Sequence, residues 1–348
     1  MKHLISISIV IILLTSCKKE VVFVPRNLSS VEIETLYSDS LLSIRAIEIL
    51  NDKSLAFSAN NGAFGLYNPL KDSWMVSKQE YDSLNLHFRA VAHTSTDFFM
   101  LSIDNPALLF KTGDDGSMQM VYKEEGEGVF YDAMAFWNDQ EGIAIGDSMN
   151  GCLSIIITRD AGQTWNKMPC ENLPKAEAGE GAFAASNTNI KIIGNNTYLA
   201  TTKGNIYHSE DKGISWKVIK TPMVQAIETE GIYSIDFYDN LNGFGIGGDY
   251  TTPDNNEANK ILTHDGGKTW QLVVQNQSPG YRSCVQYIPN RTGKELITVG
   301  FKGIDFSNDG GYSWKHLSNE GFYTIRFLND SIAYAAGNGR ISKLIFKE

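Results

Sequence analysis

Four eight-residue runs, spaced at near-regular distances, constrain this 348-residue chain more than anything else in it. They read TRDAGQTW at Thr158–Trp165, SEDKGISW at Ser209–Trp216, THDGGKTW at Thr263–Trp270 and SNDGGYSW at Ser307–Trp314. Each is hydroxyl, any residue, Asp, any residue, Gly, any residue, hydroxyl, Trp. An Asp side chain accepts hydrogen bonds from backbone amides just ahead of it and so holds a tight turn, while Gly supplies the positive φ such a turn often needs. The hydroxyls give the carboxylate further partners. The Trp, on the strand leaving the turn, buries a large apolar surface against the neighbouring sheet. Each run is therefore a β-hairpin with its own lock, and Asp160, Trp165, Asp211, Trp216, Asp265, Trp270, Asp309 and Trp314 are its structural residues. A fixed period of such hairpins marks one repeat fold rather than two unrelated domains.

The pattern resembles the Asp-box, or BNR repeat, of the β-propellers of sialidases, other glycosidases and the photosystem II stability and assembly factor family. That resemblance implies a propeller with the boxes on its outer strands, away from the active face. Outward from the boxes, each copy is preceded by two further alternating apolar runs, which makes four strands per unit. The units span Ser43 to Lys78, His87 to Glu124, Val129 to Pro169, Gly181 to Lys220, Gly231 to Val274 and Tyr281 to Ser318, and a seventh begins at Gly321 one strand short. The first box has decayed to Ser73-Trp74, and the second keeps Thr112, Asp114 and Gly116. In the fourth unit the run from Phe183 to Gly194 reads as the first strand. The unassigned run Val31–Tyr37 can pair as the outer strand of the last unit, closing the ring and removing an exposed edge. The expected fold is all-β: a seven-bladed propeller of four-stranded blades over residues 31–348, with six or eight blades as the alternatives.

The N-terminus reads as an address. Lys2 precedes an apolar run, Leu4–Leu14, too short to span a bilayer comfortably, and Leu14-Thr15-Ser16-Cys17 resembles a bacterial lipobox. This implies a signal peptide over residues 1–16, lipidation of Cys17, a tether over 17–30 and a propeller anchored in the bacterial cell envelope, at the outer membrane. A formal charge of −10 argues against nucleic acid as a partner. Cys152 and Cys170 lie nine residues to either side of Ala161, so the hairpin can join them as a disulfide or bury them as two small hydrophobes.

In a propeller the innermost strands line a central channel and start at the face where the loops after the second strands also gather. The strand starts contribute Arg45, Arg89, Asp132, Tyr233, Arg282 and Tyr323. Ends of second strands add Asp147, Asp249, Tyr250 and Lys302, and Glu180 and Tyr281 stand just before the fourth and sixth units. Arginines, carboxylates and tyrosines together suit a polar ligand, whether a small anionic molecule, a glycan or an extracytoplasmic protein. The same charges can also simply neutralise one another around a wet rim. Two acids about 5–9 Å apart would favour the alternative of a sialidase-like glycoside hydrolase, although the Arg-Ile-Pro run typical of sialidases is missing. No catalytic residue is assigned. The six His show no metal-ligand spacing and no Gly-rich loop opens a helix, so neither a metal nor a cofactor is expected. Phrases such as FYDAMAFWNDQEGIAIGD and GIYSIDFYDNLNGFGIGGDY resemble bacterial lipoprotein relatives of the assembly factor family over nearly the whole mature chain, which implies a binding or assembly protein; a monomer is expected.

Overall fold

The computed structural model describes residues 23–113, 116–273 and 275–348. The signal segment, Cys17 and Asp114 of the second box lie outside the described residues. Strands carry the architecture; one 3-10 turn, Cys170–Asn172, is the only helical element among the described residues, and none of their helices is long and apolar enough to cross a membrane.

The strands form six sheets, not seven blades: five are four-stranded and one is six-stranded. The difference comes from the N-terminal strand, Ser30–Ile49, which is twenty residues long and serves two partners. Its first part, from Ser30 to Ser43, pairs antiparallel with the C-terminal strand Ile332–Lys347, whereas Ile44–Ile49 pairs with Leu55–Ala59. The C-terminal strand in turn pairs through Ala333–Ala336 with Thr324–Phe327. The first and last units are thereby one continuous sheet. Ser38, Asp39 and Ser40 read as a break between two strands, but here they mark only a shift of register within one. Closure also extends beyond the strand. Leu28 is fully buried among Phe346, Ile297 and Phe306, and Arg26 grips Glu295 through its backbone amide at 2.9 Å and its guanidinium at 2.7 Å. Part of the expected tether is therefore fastened to the body.

The four boxes fold alike. In the fifth unit Thr263 donates to Asp265 at 2.8 Å, Gly267 N–H donates to the Thr263 hydroxyl at 3.0 Å, and Thr269 donates to Asp265 through N–H and hydroxyl at 2.9 and 2.6 Å. Burial alone would raise the Asp265 pKa, but the bonds from Thr269 and Thr263 outweigh it and hold the carboxyl at about 2. Each box Trp wedges between its own sheet and the preceding one: Trp165 against Phe99, Trp216 beside Ile157 and Tyr207, Trp270 against Phe237 beside Tyr198, Trp314 against Phe244. Cys152 and Cys170 are joined in a disulfide with Cα atoms 5.6 Å apart, and Cys284 is free and buried.

The channel is closed from within. In the fourth unit the innermost strand is only Ile190–Ile193, because the residues before it leave the sheet and cross the axis. Asn187, in the left-handed region at φ 57, donates to Val91 O at 2.8 Å and accepts from Met134 N–H at 3.0 Å. Ser186 donates to Ser283 O at 2.7 Å and its carbonyl accepts from the Thr324 hydroxyl at 3.0 Å, while Thr188 O accepts from Ile235 N–H at 2.9 Å. This plug ties together the innermost strands of five units and separates an upper mouth, where those strands start, from a lower mouth, where they end.

Candidate functional site

The upper mouth holds two guanidiniums, those of Arg45 and Arg89, that form no ion pair with a carboxylate among the described residues. Arg45 lies 4.1 Å over the Tyr323 ring, and its buried Nε has no acceptor. Arg89 donates from Nε to His87 Nε2 at 3.3 Å, which requires a neutral imidazole. Burial, reinforced by Arg89 and Arg45, pushes His87 down to about 4, and burial together with Arg45 lowers Arg89 to about 10. Arg45 also bears electrostatically on Tyr233 and Tyr281, so these groups surround one opening.

Beside the arginines stand two acids of different character. Asp132 is fully buried, and neither carboxyl oxygen has a hydrogen-bond partner. Burial, then the charge of Asp147, raises its pKa well above the ordinary value; Arg89 and the nearby amides of Ala182 and Ala184 pull the other way, although neither amide reaches bonding geometry. Asp147 accepts from Ala182 N–H at 3.1 Å, and burial lifts it to about 6. Opposite runs an aromatic row. Phe183 stacks on Tyr233 at 3.6 Å, Tyr233 meets Tyr281 edge-on at 4.7 Å, and Tyr281 touches Phe301 at 5.5 Å and Tyr250 at 6.3 Å. Tyr250 and Phe301 are 49% and 42% exposed, so the row ends in water.

The other residues singled out from the sequence are already engaged. Arg282 is buried in an ion pair with Asp305 at 2.6 Å. Glu180 accepts from Thr201, Asn205 and Tyr207 at 2.7, 2.9 and 3.0 Å, inside its own unit rather than in the channel. Asp249 is turned back on its loop by Thr251 and Thr252, whose bonds overcome burial and hold it at about 2. Lys302 reaches the exposed Asp254 at 3.2 Å. The structure thus brings together Arg45, Arg89, Asp132, Asp147, Tyr233, Tyr250, Tyr281 and Tyr323, and adds His87, Phe183 and Phe301, which strand starts alone did not reveal. Of the acids gathered there, Asp132 is sealed from a substrate, which weighs against a two-acid hydrolase. Among the described residues no cluster of three or more His, Cys, Asp or Glu could hold a metal ion.

The BNR/Asp-box repeat model matches residues 261–272, the fifth unit's box. No curated protein matches the sequence significantly. Among solved structures, "YCF48 bound to D1 peptide" aligns with a TM-score of 0.63 at 12% identity, covering 94% of this chain and 98% of that one. "YCF48 from Cyanidioschyzon merolae" gives 0.65 at 12% identity over 91% and 99%, and "Structure of U3-55K" gives 0.63 at 13% over 91% and 98%. The fold is a β-propeller similar to that of YCF48. At these identities the likeness is one of fold alone, and the family signal in this sequence is the Asp-box at residues 261–272.

Proposed function

We propose that this propeller is a binding protein that captures a polypeptide segment at its upper mouth, with a carboxylate of the segment seated between Arg45 and Arg89 and its apolar side chains on the aromatic row. The observation that carries this reading is the pair of arginines with no carboxylate within ion-pair distance among the described residues, one with a buried Nε lacking an acceptor, since an unpaired buried donor is costly and an incoming carboxylate would satisfy it. A solved propeller of the same fold is described as bound to a peptide, which supports a peptide over a sugar. The test is a titration of purified protein with short apolar peptides ending in a free carboxylate, against the same peptides amidated. Tighter binding of the free acids is expected; equal affinity, or none, would refute the reading.

We further infer that Cys17 is lipidated and holds the propeller at the cell envelope, from the resemblance of Leu14–Cys17 to a lipobox. Cys17→Ala should move the protein from the membrane fraction to the soluble one. Retention in the membrane would count against the anchor.

A further inference from the structure

The interface between the first two units lacks its wedge. In the four boxed units the Trp sits opposite the first hydroxyl of the box; pairing of Ile157 with Asn166, for example, puts Thr158 opposite Trp165 at the next step. In the second unit the position opposite Thr112 is Met118. A methionine thioether is narrower than an indole, and the space is left open as a cavity of about 580 Å³. Its floor is apolar, made by Ala56, Phe64, Leu66, Phe98 and Met118. At its edge Met75 and Val76 are 69% and 45% exposed, an apolar pair on an outer strand with nothing over it.

The rim is acidic. Asp52 and Asp97 line the opening, and Asp139 holds Ser95 there through N–H and hydroxyl at 2.7 and 2.5 Å. Lys111, 3.3 Å from Asp97, is the one ammonium among the described residues paired with any of them. Hydrogen bonds from Ser54 lower the pKa of Asp52, and those from Ser95 lower that of Asp139, so both stay ionised. An apolar floor with room for an aromatic ring beneath a negative rim is complementary to a ring with a cation beside it.

We propose that this cleft is a second binding site, separate from the upper mouth, and that it takes a Trp side chain flanked by Lys or Arg from a partner polypeptide. The incoming indole replaces the one that the second unit's box does not supply. The probe is acetyl-Lys-Trp-Lys-amide, titrated into full-length protein carrying ¹³C-methyl methionine. The Met75 and Met118 methyl signals should shift together, with an affinity at least fivefold above that of acetyl-Glu-Trp-Glu-amide and no response to acetyl-Lys-Ala-Lys-amide. Val76→Trp, on an exposed outer strand, and Met118→Trp should each abolish the response, while Arg89→Ala leaves it unchanged and so separates this site from the mouth. Asp52→Asn should halve the preference for the basic peptide or remove it. No shift at millimolar peptide, equal affinity for the acidic one, or binding that survives both Trp variants would overturn the proposal. So would free tryptamine binding as tightly as the tripeptide, which would make the site one for a small amine.

Discussion

The two mouths of the channel are built from opposite ends of the same innermost strands yet treat charge in opposite ways. At the lower mouth His93, Glu48, Arg326, Lys191 and Asp236 pair with one another. His93 contacts Glu48 at 3.2 Å, Arg326 reaches Glu48 at 3.7 Å and donates to Thr324 at 2.8 Å, and Lys191 meets Asp236 at 2.5 Å. At the upper mouth, among the described residues, Arg45 and Arg89 have no carboxylate within bonding distance and the Asp132 carboxyl has no donor. Charges that neutralise one another are structure; charges kept apart, at a cost, are available to a ligand. The rim-neutralisation reading therefore fits the lower end of the channel, and the proposed binding site lies at the other.

That contrast assumes a common frame that neither mouth controls. Trp270, 8% exposed and packed edge-on against Phe237, belongs to that frame. Trp270→Ala should cost about 3–5 kcal/mol of stability in urea denaturation and leave peptide affinity of the folded fraction unchanged. A loss of affinity at undiminished stability would tie the boxes to the mouth and break the comparison.

The strained electrostatics of the upper mouth should show in its pH response. Asp147 titrates at about 6 when folded and near 3.8 when not, so between pH 4 and 6 the folded state holds the extra proton and stability falls as pH rises. His87 titrates at about 4 when folded against 6.5, so the folded state holds fewer protons and stability rises over the same range. The two slopes oppose each other. Relative to wild type, His87→Gln should lose up to about 3 kcal/mol from pH 4 to 6 and Asp147→Asn should gain a similar amount, at about 1.4 kcal/mol per pH unit. Parallel pH profiles for the two variants would show that the mouth is not strained as described.

Paired substitutions sharpen the contrast directly. Arg89→Ala should weaken binding of a carboxylate-ended peptide by about 1.5–3 kcal/mol with little effect on stability, whereas Arg326→Ala should cost about 1–3 kcal/mol of stability and leave binding alone. If the two behaved alike in both assays, the mouths would be equivalent and the site would have to be sought elsewhere.

What could be read from the chain was what repeats in it. The boxes gave the hairpins and the apolar alternation gave the strands, and strand starts placed Arg45, Arg89 and Tyr323 at one opening. The continuous strand Ser30–Ile49 was hidden because its register shift has the polar composition of a loop. Arg282 and Glu180 were misplaced for another reason: their partners Asp305, Thr201 and Tyr207 are met only through tertiary pairing, which spacing does not encode. Asn187 looked like one more strand residue, and nothing local marks a run that leaves its sheet.

Those plug contacts have a consequence in time. Asn187 bonds to Val91 ninety-six residues away, Ser186 to Ser283 at ninety-seven, and Thr324 to Ser186 at one hundred and thirty-eight. Contacts that close such long loops form late, because the entropy of closure precedes any return from the contact. The ring must gather around the plug before the plug can bond, so its amides should be the slowest to become protected. In pulsed hydrogen exchange during refolding, Met134 N–H, whose acceptor is the Asn187 side chain, should gain protection after the ladder amides of Ile143 and Ile145 in the same sheet; simultaneous protection would mean that the centre of this propeller organises the folding of its rim.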